Sequence, residues 1–289
     1  MNELLTPKQV SRAIDVSESS VKRWCDKGLI ATRYTVGGHR RILLSGLIDF
    51  LRQSKHQLVH PDVLGLPALT AGAGEIDEQT IRRLTSALLD GDESVARRVT
   101  FDLFLGNCPI SAICDDVFRP VFQEIGARWE CGNAEVYQER RGCEIALRVL
   151  HELLGVTAPP PERAPLAIGG SIAGDQYSLA TTMVELVLRR QHWHAVSLGG
   201  NLPFATLSAA IAEHRPRLFW LSCSHIEDKQ AFVAGYRGLY EAHGDEVPFV
   251  VGGRALVEPI RQQIQYAAYC DTMRHLESFV HTLPATGPT

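Results

Sequence analysis

The stretch whose reading decides the fold is PLAIGGSIAGDQYSLATTMVELVLRR, residues 165–190. Its first half, Leu166 to Ile172, is a short apolar run of strand type, and its second half, from Leu179, repeats apolar residues at helical spacing. The change of period falls on Gly174-Asp175-Gln176-Tyr177, a turn leaving the carboxyl end of the first strand of an open α/β sheet, where ligands usually sit. Four more apolar runs follow at similar intervals: HAVSLGG (194–200), RLFWLSCS (217–224), PFVVGG (248–253) and the weaker AAYC (267–270). Strand and helix alternating in this way predict a doubly wound, flavodoxin-like parallel sheet with right-handed crossovers over residues 164–285. No GxGxxG follows the first strand, which excludes the usual dinucleotide dehydrogenase.

Upstream lies a Pro-rich hinge, APPPERAP (158–165), and before it four helical texts: residues 77–91, 92–107, 110–132 and 134–155. Each carries an apolar stripe and stops at or near Gly or Asn, so a four-helix bundle is expected over 77–157, with a kink at Pro120. Residues 57–76, rich in Pro, Gly and small side chains without a period, read as a linker.

Residues 1–56 differ again. The total charge is −4, yet residues 1–60 hold ten Lys and Arg against five Asp and Glu, a net +5, leaving −9 on the rest. A basic head on an acidic body implies that the head meets a polyanion. Thr6 with Pro7 starts a short helix, Ser17 caps a second, and Gly28 ends it, an order that spells helix-turn-helix. In the second helix Val21 with Trp24 or Cys25 faces inward, and Ser19, Ser20, Lys22 and Arg23 face outward toward a major groove. Gly37-Gly38 turns a hairpin whose arms carry Tyr34 and then His39, Arg40 and Arg41, side chains placed for phosphates. A third helix, about residues 44–53, closes the small core.

Helix-turn-helix followed by TVGGHRRI (35–42) resembles the winged helix-turn-helix of MerR-family transcription regulators, over about residues 3–54. The bundle text RPVFQEIGARWECG (119–132) ahead of the sheet extends the likeness to the cobalamin-dependent, light-sensing repressors of that family. The resemblance implies a bundle that caps a corrin with Trp and, ten residues on, Glu-His; here Trp129 and Glu139 fit and Arg140 stands for the His. It further implies Asp-x-His-x-x-Gly after the first strand, a Ser at the end of the third and Gly-Gly at the fourth. Asp175, Gln176, Tyr177 and Ala180 occupy the first motif, Ser222 or Ser224 the second, and Gly252-Gly253 the third. Tyr177 replaces the cobalt-ligating His, and a phenol is a reluctant cobalt ligand.

Three states of the body follow: a cobalamin held without the lower His, another tetrapyrrole coordinated by Tyr177, Cys223 or His225, or no cofactor and a role in assembly or partner binding. An enzyme reading, as a corrinoid-carrying subunit, is disfavoured because no triad or carboxylate pair is spaced for catalysis. The expected partners are double-stranded operator DNA and further copies of the chain, as a dimer or tetramer. Seven scattered cysteines without a CxxC pair read as reduced thiols. With no eighteen-residue apolar run and no signal-type amino terminus, a cytoplasmic, non-enzymatic regulator without a membrane partner is expected.

Overall fold

The computed structural model describes residues 4–54, 56–68 and 74–283. Residues 69–73 of the expected linker, and the first and last few residues of the expected head and sheet regions, lie outside them. The chain forms two compact units, Met1–Pro159 and Pro160–Thr289.

The first unit opens with β1 (Leu4–Leu5) and α1 (Pro7–Ala13), whose start is fixed by a reciprocal cap: Thr6 Oγ1 accepts from the Gln9 N–H, and the Gln9 side chain accepts from the Thr6 N–H. Helix α2 (Glu18–Asp26) is capped by Ser17, which accepts from the Ser20 N–H. The hairpin β2 (Thr32–Tyr34) and β3 (Arg40–Leu43) pairs Thr32 with Ile42, Arg33 with Arg41 and Tyr34 with Arg40, and β1 adds to its other edge. Helix α3 (Leu44–Gln53) buries Leu47 and Ile48 beneath the sheet together with Val10, Val21 and Ile30. Trp24 is half-buried in an aromatic cluster with Phe50 and His56, ring centroids 5.0 and 4.7 Å away, so it belongs to the packing of the head.

The region read as a linker departs from that expectation. Pro61–Leu64 form a 3₁₀ turn, Leu64 and Leu66 are buried, and the Val59 and His60 N–H groups both donate to the Ala13 carbonyl at the end of α1. Apolar residues spaced for docking on a neighbour, rather than for a period of their own, make such a segment look like a linker in sequence. Beyond it come α4 (Glu78–Asp90), α5 (Glu93–Leu105), α6 (Ile110–Ala112), α7 (Arg119–Glu130) and α8 (Val136–Val156). Between α6 and α7 the helix does not stop but widens to a π-helical segment, Ile113–Phe118. Pro120 has no N–H to donate and its ring crowds the preceding turn, so the irregularity at Pro120 takes the form of this altered register. Head and bundle are joined: Arg52 of α3 donates to the Phe104 and Cys108 carbonyls at the C-terminal end of α5, its guanidinium lying 4.5 Å from the Phe104 ring centroid.

The second unit is a five-stranded parallel sheet in the order β5-β4-β6-β7-β8, from β4 (Leu166–Ser171), β5 (His194–Ser197), β6 (Leu218–Ser222), β7 (Phe249–Gly252) and β8 (Ala268–Tyr269). The crossovers are α9 (Leu179–Arg190), α10 (Phe204–His214), α11 (Lys229–His243) and α12 (Glu258–Arg261), and α13 (Met273–Thr282) packs beside α9. Alternate strand residues point to opposite faces. Ile168, Phe219, Leu221, Phe249 and Val251 share one core with Leu207, Ile211, Phe232 and Tyr236 of α10 and α11, while Trp220 points the other way and donates from Nε1 to Thr181 Oγ1 of α9 at 2.8 Å. The strand order reverses between β4 and β6, and the loop after β4 begins at this switch point.

Candidate functional site

In the head, the residues read as groove-facing lie on α2 and on the wing, and most of them are exposed. Ser19, Lys22 and Arg23 are exposed on α2, and Ser20 is half-buried beneath its bond to Ser17. Lys22 pairs with Glu18 one turn earlier at 2.8 Å, a bond on the surface that water and salt weaken. On the wing, Tyr34 and His39 are exposed, and Val36 stands fully exposed at the tip. Thr35 Oγ1 accepts from the His39 N–H and the Thr35 carbonyl from the Gly38 N–H, holding the turn closed.

The two wing arginines part company, because neighbouring residues on a strand face opposite ways. Arg40 shares a face with the buried Ile42 and turns back onto α2. It donates from Nη1 to the Lys22 carbonyl at 2.9 Å and from Nη2 to Tyr34 Oη at 2.9 Å and to the Asp26 carboxylate. Its side chain is only 17% exposed. Arg41 points to the other face, directly opposite Arg33 across the hairpin, and donates to the Arg40 carbonyl at 3.1 Å. Like charges set opposite each other cost stability unless an anion lies between them. Arg33, exposed and level with Arg41, is a cation of this surface that a reading of the Arg-Arg dipeptide alone passes over; its signal was the pairing register.

In the bundle, Trp129 closes α7 and is 47% exposed, with Val136 and Tyr137 exposed at the start of α8. Glu139 lies half-buried in the first turn of α8 and Arg140 is exposed. Cys143, in the next turn, has its thiol pushed up to about 12 by burial, with Glu139 adding to the effect, so it stays protonated near neutral pH.

In the sheet unit, the turn of the quoted stretch is tied down by its own acid. Asp175 is fully buried, and its carboxylate accepts three backbone N–H groups: Tyr177 on Oδ1 at 3.1 Å, and Ser224 and His225 on Oδ2 at 2.6 and 3.3 Å. Its carbonyl accepts from Ser171 Oγ at 3.1 Å and from the Asn201 N–H at 3.0 Å, while Asn201 Oδ1 accepts from the Gly174 N–H at 2.8 Å. Asp175 therefore staples together the loops after β4, β5 and β6. Gln176 is exposed; Tyr177 is half-buried, with the Arg254 guanidinium 5.7 Å from its ring centroid. Arg254 Nε donates to the Ser224 carbonyl at 3.2 Å, and Ser224 is half-buried.

The remaining predicted residues sit at the strand ends. Ser222 is buried in β6 beside Gly252 of β7. A Cβ on Gly252 would stand 2.4 Å from the Cys270 carbonyl oxygen, and one on Gly253, at φ +108°, would stand 2.3 Å from that of Cys223. The pair thus lets main chains touch, a need independent of any ligand. Cys223 is fully buried, and burial together with Asp175 raises its thiol far above the usual range. A thiol so buried stays protonated near neutral pH. His225 is exposed and is held through its backbone N–H.

These residues do not fit a cobalamin coordinated from below. The imidazole position holds a phenol covered by a guanidinium. The acid that would orient such an imidazole is buried and already holds three backbone N–H groups. Within the sheet, the buried Trp220 indole occupies the place where any side chain on Gly169 would go, its ring carbon 2.3 Å from that site. Neither the staple nor this indole has a signal at the turn itself; their partners lie some forty to fifty residues away.

Residues 4–55 match the family described as a helix-turn-helix domain, and residues 80–154 match that described as a B12 binding domain. The HTH-type transcriptional repressor CarA of Myxococcus xanthus is 24% identical over 152 residues, 53% of this chain and 50% of the repressor. The chain therefore spans about half the length of the curated relative it matches. Among solved structures, the monomethylamine corrinoid protein of Methanosarcina barkeri superposes with a TM-score of 0.59 at 16% identity, covering 71% of this chain and 99% of that one. That likeness is one of fold, and it gives the parallel sheet the Rossmann-like architecture of corrinoid proteins. Among the described residues no helix is long and apolar enough to cross a membrane. In chain order, then, a region similar to helix-turn-helix domains is followed by one similar to B12 binding domains.

Proposed function

We propose that the protein is a DNA-binding transcription regulator, a repressor by its likeness to CarA, that acts as a homo-oligomer on repeated half-sites. The observation that carries this reading is the set of cations that α2 and the wing present, Lys22, Arg23, Arg33 and Arg41, on a head whose charge is opposite to that of the body. Such a surface steers a polyanion and gains affinity by releasing its counterions. The exposed Ser19 and Arg23 supply donors for base edges, and the wing supplies backbone contacts.

For the body we propose a protein-only role, in assembly or partner binding, rather than the sensing of a cobalamin or another tetrapyrrole through a sheet-borne ligand. The three backbone N–H groups that hold the buried Asp175 and the Arg254 guanidinium beside Tyr177 support it. The test is selection of bound duplexes from random DNA, followed by anisotropy titration of the selected site at several salt concentrations. The proposal expects a selected sequence and a linear fall of log affinity with log salt, with a slope near −0.9 for each phosphate neutralised. Failure to enrich any sequence, with no binding at low salt, contradicts it.

A further inference from the structure

We infer that Arg40 is a positioning residue, a clamp that fixes the wing on the end of helix α2, and that it does not itself neutralise a phosphate. The inference rests on the reading of the head as a DNA-binding surface and assigns one of its conspicuous cations a different task. Three observations converge on it.

The first is direction: strand alternation turns Arg40 toward the body of the head and Arg41 away from it. The second is occupancy. The Arg40 guanidinium reaches the Lys22 carbonyl one turn before the end of α2, the Asp26 carboxylate at its end and the Tyr34 hydroxyl on the opposite strand, so one planar fork ties three points together. The Tyr34 ring also lies beside it, 5.6 Å from centroid to guanidinium carbon. The third is Asp26 itself. An acid at a helix C-terminus faces the negative end of the helix dipole, and on a DNA-binding surface it repels phosphate. Both effects disfavour Asp26 where it stands, 61% exposed in its side chain, and pairing with Arg40 offsets them. Tyr34 acquires a role from the same contact: it orients the fork.

The two tasks give opposite signs when Asp26 is removed, and this is the experiment. Full-length wild type, Asp26→Ala, Tyr34→Phe, Arg40→Ala and Arg41→Ala are titrated against one duplex at four salt concentrations, and hydrogen exchange of the wing amides is followed in the free proteins. If Arg40 is a clamp, Asp26→Ala weakens binding by roughly three- to tenfold, the loss expected for one hydrogen bond of ordinary net strength. Arg40→Ala then weakens binding with its salt slope unchanged, Arg41→Ala loses about one unit of slope, and exchange of the β2 and β3 amides quickens in Asp26→Ala and Arg40→Ala. Tighter binding by Asp26→Ala, or a slope lower by about one in Arg40→Ala, overturns the clamp and makes Arg40 a phosphate contact. If no protein binds DNA, wild type included, the reading of the head fails, and the exchange data alone decide the clamp: unchanged wing exchange in Asp26→Ala refutes it.

Discussion

At the scale of the residue, two side chains that share a chemistry with their neighbours take different tasks because of where the backbone points them. Arg23 sits exposed on α2 with no strand partner to turn it inward. Arg23→Ala should therefore weaken binding and relax base preference at one position, by roughly 1–3 kcal/mol for the favoured base; equal affinity for all single-base variants, in mutant and wild type alike, would show that Arg23 reads nothing. Asp175 is the second case. A buried carboxylate must be satisfied, and three backbone donors satisfy this one. Placing an imidazole there by Tyr177→His should consequently give no cobalamin uptake even at near-millimolar ligand, since the acid that would orient the new ring is buried and already engaged by three backbone N–H groups. An absorption band shift of hydroxocobalamin on adding the variant, absent with wild type, would contradict that.

At the scale of the element, much was legible because its causes are local. Thr6 with Pro7, Ser17 and the turn at Gly37-Gly38 announce the helix starts and the hairpin within a few residues of where they act. The strand order followed from the alternation of apolar runs with helices, a regularity that crossover handedness leaves little freedom to vary. What stayed hidden depends on distant partners. The docking of residues 59–66 on α1 and the bond from Arg52 to the end of α5 link segments that no periodicity connects. The Gly252-Gly253 pair was legible in the sequence, and its geometry answers to strand packing that the sequence alone does not show. Gly253→Ala meets both a left-handed backbone and the Cys223 carbonyl, and is expected to destabilise the sheet unit by about 3 kcal/mol or more. Thermal melting of the full chain should show the transition lowered by several degrees; an unchanged melt would mean the strand ends have room to part.

At the scale of the whole molecule, the charge division between a head of +5 and a remainder of −9 sets which part approaches DNA. One head presents one recognition helix, so a repeated or palindromic site calls for at least two chains. Light scattering should accordingly give a solution mass of at least twice the chain's 31.9 kDa, with two chains per duplex; a monomer that binds its selected site at full affinity would refute the oligomer. The central claim is that this is a DNA-binding regulator whose cobalamin-type body does its work without the cofactor. The measurement that tests it most directly is the affinity of the full chain for its selected duplex, titrated by anisotropy with and without 5′-deoxyadenosyl- and hydroxocobalamin, in darkness and after illumination. The account predicts specific, salt-dependent binding with the same Kd in every condition; no specific binding at all, or a tenfold change in Kd on adding either cobalamin, would contradict it.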